Sequence, residues 1–452
     1  MAFTFTPAPS LPPNPSCVSA VEERSAWALC LAGALLLAPA LSRGEVTRED
    51  VEAAPATFGA TLPADGIYPR GRKLAFMGYS GNPGRDLTNG FTVAGPVYGN
   101  QTPYLERCFA NGWPVVAHVG PRISFADKNP AKYRLNETTL RQQVETQVKG
   151  LADHKDIVWW AVLPEELRPW HSEEMDYLSI VCKTIRDSDP QHRPIYHYNP
   201  NHRNADTLLP IARQVDVLAK GCYVNHVGRK RDRAWIRWSI EQELRAIGQA
   251  GCSNAIPLLM PELCQDPQPT EDKEIRNWVR HDVYLGLCSG ARGVLIWSLY
   301  PRKEVRRTWQ LWYDAYAECG KELNGKPALA QVFLFGERGS DLKISLVKGE
   351  STARLTLGGR AEPTTTSSAE RAKREIKLAT WTSAEFIYGN LRWLFLVNSA
   401  NSPATFAITG WPKDSRARNA FNSSVVDLPN AAPLQLELPA YGVTAVSFSQ
   451  AR

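Results

Sequence analysis

Two short apolar runs in this chain each end in a proline followed by glutamate. Ile157 to Leu163 (IVWWAVL) leads into Pro164-Glu165-Glu166, and Ala255 to Met260 (AIPLLM) leads into Pro261-Glu262. A glutamate just past a buried strand sits at the strand's carboxyl end, where parallel α/β sheets gather their reacting groups. Two such groups can divide acid–base work. One carboxylic acid protonates a leaving oxygen, while the other, as a carboxylate, attacks carbon or activates water. Glu166 is an alternative to Glu165 for the acid, because neighbours on an extended segment point to opposite sides and only one faces a pocket. Either glutamate alone would be read as a helix-N-terminal carboxylate, stabilised by the dipole and nothing more. The pairing at two strand ends is what points to chemistry.

The elements that must position them alternate along the chain. Strand signals fall at Lys73 to Tyr79, weakly at Phe91 to Ala94, then at Pro114 to Val119, Ile157 to Leu163, Pro194 to Tyr198, Val215 to Tyr223, Ala255 to Met260 and Gly293 to Leu299. Helical periodicity fills the intervals: Thr102 to Asn111, Asn136 to Asp153, Ser172 to Arg186, Ala205 to Arg213, Arg233 to Ala250, Glu271 to Ser289 and Thr308 to Leu323. The strands are apolar on both faces, as a parallel sheet covered by helices requires. Eight such units over about 250 residues predict a (β/α)8 barrel across residues 73–326. An open doubly wound sheet is the alternative, disfavoured because no strand is followed by a Gly-rich phosphate turn.

After Lys326 the pattern changes to short strands separated by turn residues, which predicts a β-sandwich over residues 327–452. The predicted strands are Val332 to Phe335, Lys343 to Val347, Ala353 to Thr356, Trp393 to Val397, Thr405 to Ile408, Leu434 to Leu438 and Val443 to Phe448. Thr364 to Ser368 reads as a flexible surface loop, with a helix signal at Ser367 to Lys373. Trp381, Tyr388, Trp393 and Trp411 read as sandwich core, with a sugar platform as the other option.

This layout resembles the large clan of (β/α)8-barrel retaining glycoside hydrolases, which carry the acid/base after strand four and the nucleophile after strand seven. That clan often shows Trp-x-x-x-Asn-Glu at strand four. Trp160-Ala161-Val162-Leu163-Pro164-Glu165 matches it except that Pro164 replaces Asn. The resemblance implies Glu165 as acid/base, Glu262 as nucleophile and a carbohydrate substrate. It covers the barrel and does not single out one family. The missing Asn keeps open a non-catalytic carbohydrate-binding protein on the same scaffold. A different hydrolase or lyase ranks lower, since no Ser or Cys nucleophile with a His partner is readable.

Other strand ends suit a sugar, which offers hydroxyls to His, Asn and Arg and C–H faces to aromatic rings. They supply His118 and Arg122, His197 and Asn199, Tyr223 and His226, and Trp297. Tyr223 and Trp297 match the clan's tyrosine near the nucleophile and its tryptophan floor. Any one of these residues could equally be a packed core side chain. Two basic loops, GRKRDR at 228–233 and PRKEVRR at 301–307, follow the sixth and eighth strands. Through Arg229 and Arg302 they would favour an acidic glycan, if they are more than a solvated rim.

Composition excludes other classes. A net charge of +6 on 452 residues is far from a nucleic-acid coat, and 43% hydrophobic residues rule out wholesale disorder. No zinc-ligand spacing, P-loop or dinucleotide fingerprint occurs, so neither metal nor cofactor is expected. Ala26 to Leu41 is apolar over about 16 residues, short of the roughly 20 that span a bilayer. With Ala38-Pro39-Ala40 it reads as a signal peptide within residues 1–40, behind a Pro-rich start and ahead of a lead-in at 41–72. Export is the expectation and a membrane anchor the alternative. Removal of that segment leaves an odd set of cysteines, expected as buried thiols with one or two disulfides.

Overall fold

The structure, a computed structural model, describes residues 61–97, 99–121, 136–225, 232–325, 329–358, 366–411, 415–429 and 432–449. The signal-peptide reading, Arg122, His226 and Arg229 lie outside these residues.

Seven parallel strands form one sheet: β1 (Ala75–Gly78), β2 (Val115–Val119), β3 (Ile157–Val162), β4 (Ile195–Asn199), β5 (Val217–Gly221), β6 (Ile256–Met260) and β7 (Gly293–Ile296). Their spatial order is β1-β7-β6-β5-β4-β3-β2. The ring closes between β2 and β1 through the segment 91–94, the weak second strand of the sequence reading. Thr92 N donates to Phe76 O at 2.9 Å, Ala94 N to Pro114 O at 2.7 Å, and Val116 N to Ala94 O at 3.0 Å. Thr92 Oγ1 takes over part of the ladder, accepting from Phe76 N at 2.9 Å and donating to Leu74 O at 2.7 Å. Counted with this segment, the barrel has eight positions. Thus β3 holds the fourth and β6 the seventh, three places apart on the ring.

Helices α1 (Pro83–Thr88), α2 (Thr102–Asn111), α3 (Glu137–Leu151), α4 (Ser172–Ser188), α5 (Ala205–Ala212), α6 (Trp235–Ala250), α7 (Ile275–Ser289) and α8 (Trp309–Asn324) wrap the sheet. Local sequence explains their form. In α3, Asn136 Oδ1 caps Thr139 N at 3.0 Å, and Leu140, Val144 and Val148, four residues apart, are the buried stripe. Along β2 to β5, alternate residues divide between two apolar clusters. Val116, Trp159, Ala161, Tyr196, Tyr198, Val217 and Ala219 face the barrel interior, while Ala117, Trp160, Val162, Ile195 and Leu218 face the helices.

The C-terminal region is a β-sandwich on the barrel's side. Helix α9 (Ala330–Phe335) precedes β8 (Glu337–Arg338), β9 (Lys343–Lys348) and β10 (Thr352–Leu357). Helix α10 (Ser368–Arg371) follows, then β11 (Arg374–Ala379), β12 (Trp381–Tyr388), β13 (Leu391–Asn398), β14 (Ala404–Thr409), β15 (Ala417–Asn419), β16 (Val425–Val426), β17 (Leu434–Leu438) and β18 (Val443–Ser449). A six-stranded sheet, β16-β15-β18-β13-β12-β8, faces a three-stranded one, β17-β14-β9. Between them lie Leu394, Ile408, Val446 and Phe448, and, in a second cluster, Leu396, Phe406 and Leu438. The outer face of the six-stranded sheet gives Phe386, Trp393, Phe395 and Ala445 to the main barrel cluster. Consequently β13 is buried at all eight positions.

Three sequence expectations are corrected. Val332 to Phe335 lies in helix α9, because all four side chains are buried together beside the barrel rather than alternating across a pleat. Within the predicted loop at 364–368, Thr366 is buried and Ser367 caps α10, accepting from Glu370 N at 3.2 Å. The cysteines form no disulfide among the described residues: Cys108, Cys182, Cys222, Cys252, Cys264, Cys288 and Cys319 are buried free thiols. Trp393 and Tyr388 are buried, and Trp381 and Trp411 pack against the two sandwich clusters, as the core reading expects. Among the described residues, no helix is long and apolar enough to cross a membrane.

Candidate active site

Glu165 begins the loop that leaves β3. Its carboxylate accepts a hydrogen bond from the Tyr79 hydroxyl at 2.5 Å, and Tyr79 Oη lies 2.9 Å from Tyr196 Oη. Tyr79 follows β1 and Tyr196 is on β4, so the acid loop is met by side chains from both flanks of the mouth. The loop backbone is pinned residue by residue. Tyr177 donates to Leu163 O, and His197 Nε2 is 3.2 Å from Pro164 O. Glu166 N donates to Tyr198 O at 3.1 Å, and Arg203 Nη2 to Leu167 O at 3.0 Å. Arg168 donates from its backbone N and from Nε to Glu174, each at 2.6 Å. Gly120 makes room for the turn: a Cβ there would meet Leu163 O at 2.6 Å. Glu166 has a positive φ of 61° and is exposed. Burial pushes the Glu165 carboxyl up to about 7; the Tyr79 hydrogen bond lowers it, and the neighbouring Glu166 raises it.

Glu262 is held differently. It follows β6 and is 4% exposed. Its Oε1 accepts from two consecutive backbone amides past β5, Val224 N at 3.2 Å and Asn225 N at 2.5 Å. Its backbone is bridged to Trp297, and its carbonyl accepts from Tyr316 Oη at 2.8 Å. Cys264 Sγ stands 3.8 Å from Oε2. Burial again raises the carboxyl to about 7, opposed by the Asn225 amide and by the positive charge of Arg233. Among the described residues, neither Glu165 nor Glu262 is locked by a lysine or arginine ion pair.

An aromatic wall joins the two regions. Tyr223 stacks on Trp297 with ring centroids 5.1 Å apart, and its hydroxyl donates to Tyr198 Oη at 3.0 Å. Gly221 permits this, since a Cβ there would meet the Tyr223 ring at 2.8 Å. The Arg302 guanidinium lies 3.9 Å over the Trp297 ring. Further along that basic loop, Arg307 is neutralised by Asp272.

The structure therefore brings Glu165, Glu262, Tyr223, Trp297 and Arg302 to the strand ends of the barrel. His118 shares the interior face of β2 with Val116 and is 7% exposed. His197 and Asn199 do not join them. Both are fully buried, on the β4 face opposite Tyr196 and Tyr198. His197 supports the Pro164 carbonyl, and Asn199 Nδ2 donates to Ala219 O at 3.0 Å. From there they buttress strand ends. Burial lowers the His197 imidazole to about 4, so it is neutral at pH 7. Sequence reasoning missed Tyr79, Tyr196 and Tyr198. The period-two spacing of the two β4 tyrosines was a usable signal, as was the position of Tyr79 at the end of its strand. Among the described residues, no group of three or more His, Cys, Asp or Glu could hold a metal ion.

Fold and site together describe a (β/α)8 barrel with paired carboxylates at its strand ends and a C-terminal β-sandwich. No protein-family model and no curated protein sequence matches the chain. Solved structures similar to it include an α-amylase from Geobacillus thermoleovorans complexed with acarbose, at 8% identity and TM-score 0.48, covering 84% of this chain and 99% of that one. A GH27 β-L-arabinopyranosidase from Geobacillus stearothermophilus is similar at 10% identity and TM-score 0.48, covering 84% and 97%. A GH30 endoxylanase from Clostridium papyrosolvens C71 is similar at 12% identity and TM-score 0.43, covering 84% and 97%.

Proposed function

We propose that the protein is a secreted glycoside hydrolase that cleaves O-glycosidic bonds in an oligo- or polysaccharide. The observation that carries this reading is the pair of glutamates at the fourth and seventh barrel positions, both raised by burial to about 7 and supported in different ways. Two amide donors favour the ionised form of Glu262, as does the Arg233 charge against that of its ion-pair partner Asp282, which suits a nucleophile. At Glu165 the Tyr79 hydrogen bond favours the ionised form and the adjacent Glu166 charge the protonated one, and a carboxyl near 7 suits a group that gives a proton and later takes one back. In the retaining scheme, Glu262 attacks the anomeric carbon as Glu165 protonates the departing oxygen. Glu165 then takes a proton from the water that releases the sugar. The Tyr223–Trp297 wall would receive a sugar C–H face, with His118, on the interior face of β2, as a partner for a hydroxyl. Arg302 over Trp297 supports an acidic sugar as substrate.

The test is a screen of neutral and acidic glycans and aryl glycosides, run beside Glu262→Gln. Turnover by the wild type that is lost in the variant supports the reading. No turnover on any glycan, with sugar binding equal in both proteins, favours the carbohydrate-binding alternative instead.

A further inference from the structure

The loop that carries Glu165 is anchored by the C-terminal domain as well as by the barrel. Glu370, in α10, lies against Arg203 in the loop after β4. The pair is 3.2 Å apart with side chains 2% and 0% exposed, and Thr207 Oγ1 also donates to Glu370 at 2.7 Å. The same guanidinium donates to Leu167 O through Nη2 and lies 4.6 Å under the Trp170 ring. Arg203 thus grips the acid loop at two points, two and five residues beyond Glu165. The hairpin around α10 is itself fixed, since Leu355, Leu357, Ile376 and Leu378 pack on Trp235 and Trp238 of α6. The anchors described above, Tyr79, His197, Tyr198, Tyr177 and Glu174, belong to the barrel.

We infer that Glu370 is a positioning residue: through Arg203 it sets the placement of the general acid, so that the β-domain is part of the catalytic apparatus. Without the Glu370 carboxylate, the buried guanidinium is left to the attraction of Glu166 and Glu174, and a shift towards them would take its fixed hydrogen bond from the Leu167 carbonyl. The inference rests on the glycosidase reading for its kinetic consequence, but not for its structural one.

A misplaced acid matters most when the leaving group needs protonation. In Glu370→Gln, turnover of an aryl glycoside with a poorly acidic phenol should fall by about tenfold to a hundredfold, while that of a dinitrophenyl glycoside stays within about twofold. Arg203→Lys, which keeps the charge but not the fork, should show the same split if Glu370→Gln folds poorly. Equal losses on both substrates, or none, overturn the inference. Amide exchange gives a readout independent of activity. The Glu166 and Arg168 amides should exchange faster in Glu370→Gln, while those of β13 stay unchanged. Unaltered exchange at Glu166 and Arg168 also overturns it. If the wild type cleaves no glycan, the functional proposal fails and the exchange result alone decides the inference.

Discussion

Tyr79, at the end of the first strand, donates a 2.5 Å hydrogen bond to Glu165, which lies three barrel positions away. The contact crosses the barrel mouth and gives the acid a partner that prefers its ionised form. A hydrogen bond to a charged group is worth about 1.5–3 kcal/mol, or roughly one to two pH units. In Tyr79→Phe the Glu165 carboxyl should therefore be raised further. The alkaline limb of kcat/KM should move up by about 1–2 pH units. An unmoved limb would mean that Glu165 is not the titrating acid.

The adjacent carboxylates should separate cleanly. Glu165→Gln should lower turnover of a glycoside with a poor leaving group by about 10²–10⁴-fold, and Glu166→Gln by less than about threefold. Steady-state kinetics on one substrate with both variants checks this. The reverse ranking would assign the acid to Glu166.

Stereochemistry follows from Glu262 as nucleophile. The first product seen by NMR should keep the anomeric configuration of the substrate, as it does in enzymes whose two carboxyl groups stand about 5–5.5 Å apart. An inverted first product would instead make Glu262 a base acting on water.

The raised carboxyl of Glu262 also affects stability. Its folded value is about 7, against 4.5 ordinarily. Between these values the folded protein keeps a proton that the unfolded chain has lost. Stability from this group is complete below about pH 4.5 and falls as pH rises towards 7, in total by about 3 kcal/mol. Glu262→Gln should accordingly melt higher than wild type at about pH 8 and no higher at about pH 4. Matched melting curves at the two pH values test the sign.

Away from the site, Asp189 and Arg193 form an ion pair 3.0 Å long with side chains 1% and 0% exposed. Asp189 also accepts from Trp160 Nε1 at 2.8 Å. Asp189→Ala would leave a buried guanidinium without its ion-pair partner, held by the Ala152 and His154 carbonyls, and an indole N–H without its acceptor, costing about 3–5 kcal/mol in chemical denaturation. A loss below about 1 kcal/mol would show that the Ala152 and His154 carbonyls satisfy Arg193 without the carboxylate.

Much of the barrel was legible because its strands are apolar on both faces and several helices end at signals in the sequence, such as Asn136 at one N-terminus and Gly112 and Gly251 at two C-termini. The segment at 91–94 read weakly for a physical reason: Thr92 substitutes a side-chain hydroxyl for regular ladder bonds. The two glutamates were legible from their place after strands. The roles of His197 and Asn199 were not, because alternation shows which residues share a face but not which face looks inward. That direction is set by Tyr196 and Tyr198 reaching Tyr79 and Tyr223 across the barrel. Helix α9 escaped because Val332, Phe333 and Phe335 favour a pleat locally, and packing against the barrel overrode them. Strands β11 and β12 went unread because their polar residues interrupt the apolar runs. The buried Arg203–Glu370 pair joins residues far apart in sequence, and no local pattern announces it.

Strand β13 (LRWLFLVN) has no solvent side. One face belongs to the sandwich interior and the other to the cluster shared with the barrel helices. Two lobes that read as separate along the chain therefore share a central beam. Neither can melt without uncovering a strand that the other needs, so heating should give one cooperative transition rather than two. The same beam makes the C-terminal lobe a poor candidate for exchange between proteins: a graft would have to bring the matching barrel flank with it.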